Sequence, residues 1–403
     1  MKRNPKVMSA LKNAALGCAS VVAALLLGEG ALRLLGFSFP LFWQPDPVTG
    51  AALRPGAEGW QRDEGLAYVS INSRGLRDRE HELAKPQGAY RIAILGDSYA
   101  EALQVDVERT FWWLLPRRLE GCGFAAGRHV ETLNFGVSTY GTAQELLTLR
   151  ERVWQYSPDM ILLAFFPGND VRNNSRALEN LKDHPYFSLQ DGRLVLDASF
   201  RDDPEFRNRQ RITALRAPLH RLRLYQVLRR VRAGDLTKRS HSHNAPIAAA
   251  LASDEEARPA RIESGLDENV FRAPTDPAWR EAWEITDKLV VAVSEETREH
   301  RARFLLVVLS TPGTVYPDPR MRARYAARLR VDTLFYPEER LHRLGAQHGF
   351  ETLALGPEMQ RRADATRVFL HGFKNTTPGF GHWNESGHAM AAELIAERLC
   401  QGK

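Results

Sequence analysis

Four polar residue types recur at the ends of apolar runs in this chain, and together they could carry out acyl transfer. Ser98 closes "RIAILGDS", Ser138 and Thr139 follow "LNFGV", Asn169 follows "LLAFFPG", and His382 and His388 lie in "GFGHWNESGH" near the C-terminus. A serine hydroxyl becomes a useful nucleophile only when a neighbouring base takes its proton. The tetrahedral oxyanion then needs preorganised donors, each worth about 2.7–4 kcal/mol in the barrier. Backbone N–H groups and an Asn amide are such donors. A lone Gly-Asp-Ser can also be a turn or a helix N-cap with no chemistry attached, and a Gly-His pair ahead of a helix can be mere capping. The order of the four elements, each strand-end one after a plausible strand, raises the chemical reading above these. Asp97 is expected to support the turn, and Trp383 and Asn384 to pack and cap. No G-x-S-x-G elbow occurs.

The elements that must hold these residues alternate between strand and helix. "YRIAILGDS", "HVETLNFGVS", "DMILLAFFPGND", "RFLLVVLST" and a weaker "ETLAL" read as strands, the third being nearly all apolar, as a strand covered on both faces should be. "TFWWLLPRRLEG" (with Pro116 kinking it), "TAQELLTLRERVWQY", 277–301, "YPEERLHRLGAQHG" and "NESGHAMAAELIAERLC" read as helices. This alternation predicts an α/β fold: a flavodoxin-like three-layer α/β/α sandwich with a parallel sheet. Functional groups gather at the carboxyl ends of strands in such sheets. Alternation lapses over about 175–278, which reads as a helical or mobile insertion. Within it, residues 207–239 hold ten Arg and one Lys against Asp235 alone. Pro218–Val231 could lie on anionic lipid, although an Arg-faced helix packed over the core is the plainer reading.

The motifs resemble those of the SGNH/GDSL hydrolase superfamily, over roughly 90–170 and 300–400. "GDSY" is similar to its first block and implies Ser98 as nucleophile. "NFGVSTYGTAQEL" resembles the second, with the block's glycine falling at Thr139. "PGND" matches the third and implies Asn169 in the oxyanion hole. "HWNESGH" resembles the last and implies His382 as base. The family's acid lies three residues before that His, where this chain has Gly379. Candidates for support are therefore Asp97, Asp364 as the nearest upstream Asp, and a shifted Glu385–His388 pair. The resemblance implies an ester hydrolase, with O-acetyl esters of a carbohydrate as the expected substrate and no cofactor or metal. O-acyl transfer to an envelope polysaccharide, and a non-catalytic glycan-binding or assembly module, are the alternatives.

Composition bounds the setting. The 403 residues are 43% apolar and 26% charged, and 55 Lys+Arg against 49 Asp+Glu leave +6. That is modest at this length, and no nucleic-acid-binding signature accompanies it. Lys2, Arg3, Lys6 and Lys12 precede an uncharged Ala14–Gly28. Residues 13–37 read as a transmembrane signal anchor, Glu29 and Arg33 pairing at i, i+4 near its far end. A cleaved signal peptide is the other reading, but no small-x-small site precedes an obvious mature start. The positive-inside rule places 1–12 in the cytoplasm, and an approach segment 38–88 and the catalytic domain 89–403 outside the cytoplasmic membrane (periplasmic). "INSRGLRD" after the anchor resembles membrane-tethered bacterial members of the superfamily. Cys18 lies in the anchor. In the flavodoxin-like strand order the first and last helices cover one face, so Cys122 and Cys400 are expected to meet in a disulfide worth about 4–5 kcal/mol.

Overall fold

A computed structural model describes residues 5–232 and 266–401. The first element is helix α1, Pro5–Leu34, in which Arg33 and Glu29 pair at 2.8 Å. Two short hairpins follow: β1 (Trp43–Asp46) with β2 (Gly50–Leu53), and β3 (Glu58–Gln61) with β4 (Ala67–Ser70). The segment 38–88 is thus structured and joins the domain. Its Phe42, Leu53, Val69 and Ile71 bury against Leu103, Val137 and Tyr140.

The central sheet begins with β5 (Ala89–Gly96), which runs into α2 (Ser98–Glu101) and α3 (Phe111–Gly121). Next come β6 (His129–Asn134), α4 (Thr142–Thr148), β7 (Met160–Phe165) and α5 (Asp170–Asn173). The insertion supplies a hairpin, β8 (Tyr186–Gln190) with β9 (Arg193–Asp197), then α6 (Pro204–Arg216) and α7 (Arg223–Arg232). The sequence reading took this stretch as helical or irregular and missed the hairpin. Most of the expected mobile stretch, 236–265, lies outside the described residues. After the helix Pro277–Glu299 come β10 (Arg303–Val308), the helix Tyr336–His348, β11 (Glu351–Ala354), the helix Gly356–Thr366 and the C-terminal helix Glu385–Gln401.

Sheet order is β11-β10-β7-β5-β6, with every pairing parallel. Numbered within the sheet, this is 2-1-3-4-5, the flavodoxin-like order, whose switch point falls between the strands that end near Ser98 and Asn169. Strand residues alternate between two cores, as period-two geometry requires. Ala93, Leu95, Ile161, Leu163 and Val308 face α4 and Pro277–Glu299. Ile92, Ile94, Leu162 and Val307 face α3 and the C-terminal helix. Those two helices therefore share a face, and Cys122 and Cys400 at their ends are joined by a disulfide, with Cα atoms 6.1 Å apart.

Candidate functional site

Strand β5 is buried along its whole length, so the chain must turn sharply where it ends. Asp97 makes the turn: its carboxylate accepts from the Tyr99 N–H at 2.9 Å and from the Asn169 amide at 3.0 Å. Ser98 then opens α2 with its side chain only partly covered. The Ser98 N–H, at the first helical position, makes no hydrogen bond among the described residues. Burial raises the Asp97 carboxyl, against the hydrogen bonds from Tyr99 and Asn169. Its place is structural, as expected.

His382 reaches Ser98 from the far end of the chain, with Nε2 2.9 Å from Oγ. On its other side, Nδ1 lies 2.6 Å from Glu64 Oε2, while Glu64 Oε1 accepts the His382 backbone N–H at 2.8 Å. Burial pulls the Glu64 carboxyl up, but the neighbouring His382 and the hydrogen bonds it donates outweigh that and hold it below the usual value. A carboxylate that accepts the Nδ1 proton leaves Nε2 as the acceptor facing serine. Glu64, His382 and Ser98 form a relay in the order acid, base, hydroxyl.

Glu64 was missed because it lies in the hairpin segment, 318 residues from His382. No spacing rule connects the two. The turn carrying it is clamped by Asn375, which accepts the Gly65 N–H and donates to the Arg62 and Gly65 carbonyls. Gly65 sits at φ +69°, and a Cβ there would lie 2.1 Å from the Gln104 carbonyl oxygen. That glycine was the one local hint.

The other proposed supports lie elsewhere. Asp364 makes a bidentate pair with Arg322, 2.7 Å on each arm. Glu385 is the exposed first residue of the C-terminal helix. His388 is buried, stacked on Phe111 and accepting that residue's N–H, so the shifted Glu385–His388 pair is no part of the relay. Asn384 caps the helix, accepting from Ser386 and Gly387, and Trp383 is fully buried. Three residues before His382, Gly379 has φ +87°, and a Cβ there would lie 2.5 Å from the Tyr316 ring.

His382 is fixed from behind as well. Its carbonyl accepts the Gly372 N–H at 3.0 Å, and the Gly381 carbonyl accepts from His371 Nδ1 at 2.7 Å. The other ring nitrogen of His371 takes the Ser310 hydroxyl, which in turn accepts the Trp383 indole N–H. Burial pushes His371 down to about 3, so it remains a neutral strut at pH 7.

The candidate oxyanion donors sit on loops tied to this turn. Thr139 adopts φ +73°, a left-handed region that glycine enters freely and that costs a β-branched residue about 1–2 kcal/mol. Asn173 holds that conformation by donating to the Thr139 carbonyl at 3.2 Å. The Thr139 N–H makes no hydrogen bond among the described residues. The Asn169 amide spends one N–H on Asp97 and keeps a second. Close approach of the loops depends on Gly136, where a Cβ would lie 2.6 Å from the Glu101 backbone nitrogen. Beside Thr139 opens a cavity of about 600 Å³ lined by Lys182, Asp183, His184, Glu205, Asn208 and Arg209. The insertion supplies most of its wall. A larger cavity lies at the foot of α1, away from Ser98.

No family model and no curated protein matches this chain. Among solved structures, it is similar to an α/β hydrolase enzyme from the metagenome of Lake Arreo, Spain, at 12% identity and TM-score 0.36, over 77% of this chain and 94% of that one. It is also similar to the acetyl xylan esterase AlAXEase, at 11% and 0.36 over 76% and 98%. A lipase/acylhydrolase from Enterococcus faecalis aligns at 12% and 0.35 over 78% and 96%. The parallel 2-1-3-4-5 sheet is a flavodoxin-like α/β architecture, with Ser98 and Asn169 at its switch point.

Proposed function

We propose that this protein is a serine ester hydrolase of the SGNH type. The observation that carries the reading is the continuous relay from Glu64 through His382 to Ser98, with links of 2.6 and 2.9 Å. Ser98 Oγ attacks the acyl carbonyl while His382 Nε2 takes its proton, and the Glu64 carboxylate stabilises the imidazolium that forms. The Ser98 and Thr139 N–H groups and the free amide N–H of Asn169 hold the oxyanion. His382 then protonates the leaving alcohol, and water hydrolyses the acyl-enzyme.

The polar wall of the cavity beside Thr139 suits an O-acylated carbohydrate, an O-acetyl ester above all, better than a long acyl chain. Transfer to a sugar hydroxyl would use the same acyl-enzyme with a different acceptor. The Glu64 carboxylate at His382 Nδ1, where Gly379 offers no acid, supports the catalytic reading over a non-catalytic module. The chain is anchored by Met8–Leu34, long and apolar enough to span a bilayer, with the catalytic domain outside the cytoplasmic membrane. Lysine and arginine ahead of the helix and the Cys122–Cys400 disulfide, a bond that persists in oxidising compartments, both support this placement.

The test is p-nitrophenyl acetate turnover by the full chain in detergent. Ser98→Ala is expected to fall to the rate of buffer alone with an unchanged melting temperature. Turnover equal to the wild type would refute the assignment.

A further inference from the structure

The larger cavity, about 810 Å³, lies where the C-terminal end of α1 meets the first hairpins and α7. Arg33, Arg54, Arg221 and Arg223 line it, with Glu58 as the one acid. The four are not equivalent. Arg33 is neutralised by Glu29 at 2.8 Å. Arg223 donates to the Glu58 carbonyl and stands 3.9 Å from that carboxylate. Arg54 is only 7% exposed; its Nε and Nη2 donate to the Leu41 and Trp43 carbonyls, while its Nη1 is buried with no partner. Arg221 is exposed and has no acidic partner among the described residues. Burial and then the charges of Arg54, Arg229 and Arg216 push the neighbouring His220 down to about 4, so the excess positive charge rests with the guanidinium groups.

Burying a guanidinium N–H with nothing to receive it is unfavourable. Arg54 lies on the cavity wall with one buried N–H group still unspent, the unpaired Arg221 guanidinium is on the same wall, and guanidinium groups are the side chains best matched to phosphate oxygens. The source of the phosphate follows from the surroundings. α7 docks on α1, with Glu29 accepting the Arg223 and Leu224 N–H groups at 3.0 Å and Leu224 packing on Gly28. Around this junction Leu34, Leu35, Phe37, Leu219 and Leu222 are exposed apolar side chains. With α1 spanning the bilayer, the cavity sits at headgroup level, the depth at which basic side chains meet anionic lipid.

We propose that this cavity is a phosphate-binding site that takes the headgroup of an anionic membrane lipid, with Arg54 and Arg221 as its principal donors. The site is separate from the Ser98 relay, so the proposal stands or falls independently of ester hydrolysis. It rests on the membrane reading only for the source of the phosphate.

The experiment titrates the full chain in dodecyl maltoside with mixed micelles of phosphatidic acid, with phosphatidylcholine micelles as control, and separately with inorganic phosphate. Saturable binding of phosphatidic acid over phosphatidylcholine is expected, weakened about tenfold in Arg54→Gln and in Arg221→Gln, the loss of one charge-assisted hydrogen bond. Inorganic phosphate that binds as tightly and competes would keep the phosphate site but overturn the lipid as its source. No binding above the phosphatidylcholine control, or binding untouched by the variants, overturns the site itself. Arg54 also ties two backbone carbonyls, so its variant is checked by thermal melting. If it does not fold, the surface variant Arg221→Gln decides alone.

Discussion

Replacing Glu64 by Gln tests the relay where the sequence motif offers no guidance. Glu64 accepts twice from His382, at the ring Nδ1 and at the backbone N–H, and a carboxylate can do both. A primary amide has one acceptor oxygen. With that oxygen on the backbone N–H, its NH₂ faces Nδ1 and selects the tautomer whose Nε2 carries hydrogen and cannot take the serine proton. Turned the other way, it sets two donors against each other. The lost charge adds to this: the carboxylate and imidazolium, 25% and 19% exposed for His382 and Glu64, have charge centres about 4 Å apart and interact by roughly 4 kcal/mol at an effective dielectric of ~20. That alone is about three decades in rate, and the wrong tautomer brings the loss to about 10⁴ in kcat, or ~5.5 kcal/mol. The assay is kcat for p-nitrophenyl acetate at pH 7.5, with KM and melting temperature measured alongside. Because the folded carboxyl titrates below its usual 4.5, its contribution to stability is present above that pH and fades as pH falls through the folded value. A Glu64→Gln enzyme within tenfold of wild-type kcat would refute the relay.

Adding Gly379→Asp to Glu64→Gln, which restores the family's acid position, is expected to rescue no activity. φ +87° and the Tyr316 ring 2.5 Å from the new Cβ exclude the side chain; recovery of a tenth of wild-type kcat would contradict this. Cys122→Ser with Cys400→Ser removes a crosslink spanning 278 residues, and is expected to cost up to about 5 kcal/mol in urea unfolding, with reductant giving the same shift in the wild type. Burial, helped by the charge of Arg77, holds His388 down at about 3, below its unfolded value of 6.5. Its stabilising contribution is therefore complete above pH 6.5 and is lost as pH falls from there towards 3. His388→Asn should reduce the stability difference between pH 7 and pH 5 by about 2 kcal/mol, and an unchanged difference would show that the imidazole is not held neutral.

Strand and helix order followed from local pattern, because a strand covered on both faces must be apolar throughout and an amphipathic helix must repeat every 3–4 residues. The 2-1-3-4-5 sheet then placed α3 and the C-terminal helix on one face, which is why the Cys122–Cys400 bridge could be anticipated. Ser98, Asn169 and His382 could be singled out because each lies in a recognisable block next to the boundary of a regular element. Glu64 was not. Its partner is 318 residues away, and only the folding of 38–88 onto the domain, with Asn375 clamping its turn, brings the two together. The hairpin β8–β9 escaped notice because its strands are only five residues each and lie inside a stretch that reads as polar and irregular. Asp364 and the Glu385–His388 pair were reasonable by spacing alone. Tertiary structure settled them, since Arg322 takes Asp364 and Phe111 covers His388. Local physics reads off elements and their ends; which distant carboxylate meets a given imidazole depends on how separate segments pack.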